Sequence, residues 1–167
     1  FQSAATVASV LNGNLIEKAA EAGLRSLFLG FETFSPENLR SSNKLQNLSK
    51  DYVATVERLH SLGIMINGSF VFGLDHDDKD VFRRTVDWGI EHSITTATFH
   101  VLTPYPGTRL FQQMERDGRI TSYDWSKYDT RTVVYKTVGL TAEELKQGYD
   151  WAYREFYSWS NIFKASF

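Results

Sequence analysis

The chain has 167 residues, 42% of them hydrophobic, which is enough for one domain with its own core and too few for two comfortable ones. Its 18 basic and 20 acidic residues leave a net charge of -2, which excludes the cationic footprint of a binder of nucleic acid or anionic membrane. With no cysteine, disulfides, thiolate nucleophiles, cysteine zinc sites and cysteine-held iron–sulfur clusters are excluded within these residues.

No apolar run is long enough to span a bilayer, and the opening FQSAATVASVLNGN lacks the basic start of a signal peptide. A soluble, cytoplasmic protein is expected. The chain begins at Phe1, and a first strand is expected around Phe1 to Val7, as in a piece cut from something longer.

A helical pattern, a stop and an apolar run then follow one another three times. NLIEKAAEAG precedes LRSLFLGFE, DYVATVERLHSLG precedes IMINGSFVFGLD, and VFRRTVDWGIEHS precedes ITTATFHVLTP. Val53, Val56, Leu59 and Leu62 recur at helical spacing, and Gly23 and Gly63 stand where a helix C′ residue belongs. The runs after them are nearly continuous in apolar character, which predicts strands buried on both faces; alternation with helices predicts parallel βαβ units. Ser35-Pro36-Glu37 reads as a helix start, and Thr141 to Glu144 as a capping box. A helix through Met114 is expected to stop at Gly118, and a last helix to run from about Thr141 to Ser160. Its aromatic residues Tyr149, Tyr153, Phe156, Trp159 and Phe163 read as a packing face.

In parallel α/β folds the ligand edge lies where strands end. The strand ends here are Gly30-Phe31-Glu32-Thr33, Gly73-Leu74-Asp75-His76-Asp77 and Thr103-Pro104-Tyr105-Pro106-Gly107-Thr108. Glu32 emerges straight from a buried run, where a carboxylate is either paired or placed to accept hydrogen bonds from a ligand. Asp77 or Asp78 can cap the next helix, with Asp78 and Asp80 as first-turn charge. Asp75, His76 and Asp77 offer a metal set without the His spacing of known sites, so no metal ligands are assigned. His60 and His92 fall near helix C-termini, whereas His100 lies within a strand and faces a barrel interior if the fold is one. No dinucleotide, P-loop or hydrolase-elbow signature is present.

Taken in order, AGLRSLFLGFETFSPENL, NKLQN, GSFVFGLDHDD, TPYPGTRLFQQM, DWSKYD and LTAEELKQGYDWAYREFYSWSNI resemble radical S-adenosylmethionine (SAM) enzymes. The nearest look is the cobalamin-domain subgroup of anaerobic magnesium-protoporphyrin ester cyclases and hopanoid methylases. The resemblance implies an α/β fold, a partial TIM-like (β/α) barrel of parallel strands with a C-terminal helical extension. It implies residues 1–118 as the later half of the barrel, beginning at its third strand, and 119–167 as the extension. The implied cofactors are SAM, a [4Fe–4S] cluster whose cysteines are absent here, and cobalamin through a further N-terminal domain. By the same resemblance Glu32 reaches the ribose or amino acid part of SAM, and Lys44 pairs with its carboxylate. Ser69 meets the ribose, Val71 lies beside the adenine, Gly73 allows close approach of the chain, and Val101 or Leu102 offers backbone contacts to the adenine. Asp77 falls at the acid of the turn, with His76 where the family usually has glycine, and Gln2 is a third-strand contact. The implied chemistry is reductive cleavage of SAM to a 5′-deoxyadenosyl radical acting on a small-molecule substrate, of Fe–S oxidoreductase or methyltransferase type, with this stretch inactive by itself. Its cut sheet edge would offer pairing with another copy. Two other readings remain open: a metal-dependent hydrolase using Glu32, Asp75, His76 and Asp77, and an interaction module using the aromatic last helix.

Overall fold

The structure, a computed structural model, describes residues 1–41 and 49–165. Four strands, β1 (Gln2–Thr6), β2 (Ser26–Glu32), β3 (Met65–Phe72) and β4 (Thr96–Val101), form one sheet in that order with every neighbouring pair parallel. Between them lie α1 (Val7–Leu11) and α2 (Leu15–Glu21), then α3 (Pro36–Ser41) and α4 (Ser49–Ser61), then α5 (Val81–Glu91). Helices α6 (Arg109–Arg116), α7 (Ala142–Phe156) and α8 (Trp159–Ala165) follow the sheet. A sheet whose spatial order equals its chain order, with helices at each crossover, is wound as the wall of a (β/α) barrel. The fold class expected from the sequence is the one observed.

The helix starts follow the local chemistry. The Ser35 hydroxyl accepts from the Asn38 N–H, and Thr141 and Glu144 make the reciprocal capping box of α7. Gly23 and Gly63 are both left-handed residues closing α2 and α4. Helix α1, opened by a Thr6–Ser9 capping box, is an addition to the elements expected from the sequence. The last helix ends at Phe156, earlier than expected, and α8 starts afresh at Trp159. The aromatic stripe divides there. Tyr149 and Phe156 are buried, whereas Trp159 and Phe163 are exposed, so the packing face ends with α7.

One face of the sheet carries the core. Leu27, Leu29 and Phe31 of β2, Ile66, Phe70 and Phe72 of β3, and Ala97, Phe99 and Val101 of β4 are all buried. The rings of Phe31, Phe70 and Phe99 line up across three strands, with centroids 5.4 and 5.8 Å apart. Helix α7 joins this core through Leu145, Ala152 and Phe156. The alternate residues of each strand face the other way, and there the expectation of strands buried on both sides is corrected: Phe28 is 40% and Met65 51% exposed. The apolar runs overstate burial because small, ring and hydroxyl residues interleave within them, and the described helices pack on the core side.

The pairing expected of the cut sheet edge concerns β1, the first strand, whereas β4 at the opposite edge is closed by the chain itself. In a parallel strand the outward N–H and C=O belong to alternate residues, about 6.6 Å apart. On β4 these are Ala97, Phe99 and Val101, and each is already engaged. The Tyr157 hydroxyl accepts from the Ala97 N–H (3.0 Å) and donates to the Ala97 carbonyl (2.8 Å). The Tyr153 hydroxyl does the same for Phe99, at 3.1 and 3.2 Å. The Val101 N–H donates to the Thr130 carbonyl (2.7 Å), and its own carbonyl accepts from the Thr103 hydroxyl (3.0 Å). Tyrosines one helical turn apart rise about 6 Å, close to the two-residue step of the strand. A new strand therefore has nothing to bond to along β4, and among the described residues the open edge is that of the exposed β1.

Candidate functional site

The uncovered face is polar and rises in layers set by the register of the sheet. Gln2, Ser26 and Met65 form the lowest layer; Ala4, Phe28, Asn67 and Thr96 the next; Thr6, Gly30, Ser69 and Thr98 the third. Val71 and His100 stand side by side at the top, near the strand C-termini. Parallel sheets ordinarily bury both faces, so a hydrophilic face calls for a partner other than the core. Two groups on it lack one. The Asn67 Oδ1 atom is buried with no hydrogen bond, and Ser69, 8% exposed, finds none for its hydroxyl among the described residues.

Glu32 ends β2 at an irregularity in the β2–β3 register, where its backbone turns left-handed (φ 67°). That turn folds the side chain back over its own strand: a Cβ built at Gly30 would stand 2.8 Å from Glu32 Oε1. The carboxylate thus lies on the open face, close enough for its charge to act on His100. Burial holds the His100 imidazole below the usual histidine range, and Glu32 opposes this less strongly. His100 Nδ1 lies 3.2 Å from Thr130 Oγ1, which fixes the ring plane.

The acids after β3 behave differently from Glu32. Asp77, 2% exposed, folds under the turn and accepts from the N–H groups of Gly73 (2.8 Å) and Leu74 (3.0 Å) and from the Asn38 amide (2.7 Å). Asn38 in turn accepts from the His76 N–H (3.0 Å), tying α3 to this loop. Asp75 forms a bidentate pair with Arg119 at 2.6 and 2.9 Å. Asp78 accepts from the Asp80 N–H and pairs with Arg84, while Asp80 occupies the N-cap position of α5 without a side-chain cap bond. Neither Asp77 nor Asp78 is the cap, because burial claims the first and Arg84 the second. The four residues of the hydrolase reading are therefore divided between separate partners, and no group of three potential metal ligands is assembled among the described residues.

Glu32, Ser69 and Val71 are brought together on the upper open face. Gly73 follows them with φ 91°, but the close approach it permits is made by Tyr135 and Leu145, which a Cβ would strike; the Tyr135 hydroxyl donates to its carbonyl (2.6 Å). Val101 has both backbone groups engaged, and the Leu102 N–H donates to the Phe72 carbonyl (2.8 Å). Gln2 lies in the lowest layer, four residues below Thr6, and is separated from the group around Ser69. Lys44 lies outside the described residues. Asn67 went unassigned in the sequence, and so did the link between Thr130 and His100. An Asn in a strand-like run was the only signal for the first; nothing local signals the second, since the two residues are 30 apart.

The fold and site define a class: a barrel wall with a polar inner face and ligand-type groups near its strand ends. No family model matches the chain. Among curated proteins it is 36% identical over 148 residues to bacteriochlorophyllide d C-12(1)-methyltransferase of Chlorobaculum tepidum, covering 89% of this chain and 32% of that protein. It is 30% identical over 149 residues to an anaerobic magnesium-protoporphyrin IX monomethyl ester cyclase of Cereibacter sphaeroides, covering 89% and 24%. The chain thus spans about a third or less of the relatives it matches. Among solved structures it resembles a radical S-adenosylmethionine methyltransferase of Kitasatospora setae with cobalamin and a [4Fe–4S] cluster bound, with TM-score 0.59, 19% identity, and coverage of 70% of this chain and 23% of that one. The likeness in structure is one of fold. The resemblance read from the motifs agrees with these relatives, since a cyclase of the kind that they indicated is among them.

Proposed function

We propose that this chain forms the later half of a radical SAM barrel, and that its open face receives SAM and the substrate of a methyltransferase or cyclase. The observation that carries this reading is the polar inner face, where a buried Asn67 oxygen and the Ser69 hydroxyl have no partner among the described residues. An unsatisfied buried acceptor destabilises a fold by about 1–3 kcal/mol. A bound polar ligand removes that cost.

The residues fit the group. A carboxylate at Glu32 and a hydroxyl at Ser69 suit the hydroxyls and ammonium of an aminoacyl nucleoside, and Val71 gives an apolar surface for its base. Lys44 keeps, by resemblance, the role of a point charge for the SAM carboxylate. With a [4Fe–4S] cluster, SAM supplies reductive cleavage and hydrogen-atom abstraction from an unreactive C–H. The residues here orient the ligand and exclude water from it. Cluster ligands would come from outside these 167 residues, which hold no cysteine, and this stretch alone would be inactive. Cobalamin would be held by a further domain. We read residues 1–118 as the barrel part and 119–167 as an extension that seals its last strand, in a cytoplasmic enzyme for a small-molecule substrate.

The test uses the anaerobically reconstituted parent protein. SAM with a reductant should yield 5′-deoxyadenosine or methylated product, and Glu32→Gln should weaken SAM binding about tenfold, one hydrogen bond to a charged group. Unchanged SAM affinity in both Glu32→Gln and Ser69→Val would sink the placement of SAM on this face.

A further inference from the structure

Among the described residues, three other than glycine have a left-handed backbone: Glu32 (φ 67°), Ser93 (φ 52°) and Thr130 (φ 62°). Ser93 closes α5, an ordinary place for that conformation. Glu32 and Thr130 close no helix, and for a β-branched threonine the conformation is strained. Both converge on His100. Thr130 approaches Nδ1 with its hydroxyl, and Glu32 acts on the ring with its charge.

The segment holding Thr130 is braced for this task. The Asp129 carboxylate accepts from the N–H groups of Arg131 (2.9 Å) and Thr132 (2.8 Å), and the Thr130 carbonyl accepts from Val101 N–H (2.7 Å). The strap therefore lies against β4 beside His100. The ring itself is half-buried beside Val71, and its Nε2 has no partner among the described residues. A strained residue that fixes one nitrogen of an imidazole while the other is left unmatched on a ligand face is a positioning device.

Resting on the function proposed above, we propose that His100 binds the substrate, donating from Nε2–H to a carbonyl or carboxylate oxygen, and that Thr130 is the positioning residue that sets its tautomer. The Thr130 hydroxyl donates to Nδ1, leaving the proton on Nε2. The substrate class is one with an oxygen acceptor near its reacting carbon.

Two measurements test this. In the 167-residue chain, ring 15N shifts should report a protonated Nε2 and a bare Nδ1 on His100. Thr130→Ser should preserve that pattern. Thr130→Gly, which suits the left-handed backbone and so keeps the fold, should shift it toward a mixture of tautomers. A protonated Nδ1 in the wild type, or no change in Thr130→Gly, would overturn the assignment. In the reconstituted parent protein, His100→Leu should lower the ratio of product to 5′-deoxyadenosine about tenfold, one hydrogen bond's worth, and His100→Gln, with its own donor, should recover most of it. Normal coupling in His100→Leu overturns this inference alone. Neither 5′-deoxyadenosine nor methylated product from the wild type overturns the reading of the face and this inference with it.

Discussion

At Asp77, burial and hydrogen bonding pull in opposite directions. Burial pushes the carboxyl up to about 6, against the N–H groups of Gly73 and Leu74 and the Asn38 amide, which hold it down. A carboxyl that binds its proton more tightly in the folded chain than in the unfolded one stabilises the fold at low pH. The contribution is complete below about pH 4 and is lost as the pH rises through about 6. A rise of about two units from 3.8 corresponds to roughly 3 kcal/mol. Urea midpoints at pH 4 and pH 7 should therefore differ for the wild type, and Asp77→Asn, which cannot ionise, should remove most of that difference. Asn67 provides the opposite case, a polar group whose retention has no structural benefit. Asn67→Leu removes a buried oxygen that has no partner among the described residues and should raise stability by about 1 kcal/mol in urea unfolding. A loss of stability would mean that the amide is satisfied in solution and that the open face is not waiting for a ligand.

Among the elements, β4 and α7 depend on each other most directly. Tyr153 and Tyr157 supply two hydrogen bonds each to the strand edge, so the double change to Phe removes four bonds while keeping both rings. At about 0.5–1.5 kcal/mol per bond the loss should be about 2–4 kcal/mol, since such losses are not fully additive. It should also bare the outward groups of Ala97 and Phe99, and sedimentation velocity should then detect more self-association than in the wild type. The helix behind this seam is closely packed as well: a Cβ on Gly148 would enter the Phe82 ring of α5. Gly148→Ala should cost about 1–3 kcal/mol by overpacking, despite alanine's better helix propensity. Helices of this kind were legible from spacing and capping residues, as Thr141 and Glu144 illustrate. The tyrosine seam was not, because spacing identifies Tyr149, Tyr153 and Phe156 as one face without saying that a hydroxyl of that face ends on a strand edge.

For the molecule as a whole, the parallel order of strands was legible because each βαβ unit announces itself locally. Which face of the sheet stays open was not, since Phe28 and Leu29 look alike in a sequence and differ only by the side of the strand on which they fall. The acids of the loop after β3 show the same limit. Their charge is evident, but only the contacts of Asn38, Arg84 and Arg119 separate a buried turn former from a surface pair. The division expected at Gly118 meets a physical test on these grounds. Beyond that point Val134, Tyr135, Leu145, Ala152 and Phe156 belong to the same core as Phe70 and Phe99, and Tyr153 and Thr130 hold the β4 edge. The extension proposed for residues 119–167 should therefore share one cooperative unit with the sheet. The chain should unfold in a single transition by circular dichroism and by tryptophan fluorescence, with coincident midpoints. Residues 1–118 expressed alone should show no cooperative unfolding, because the covered face would lose the α7 side of its core. Two separate transitions in the whole chain, or a folded 1–118, would instead establish two independent units divided at Gly118.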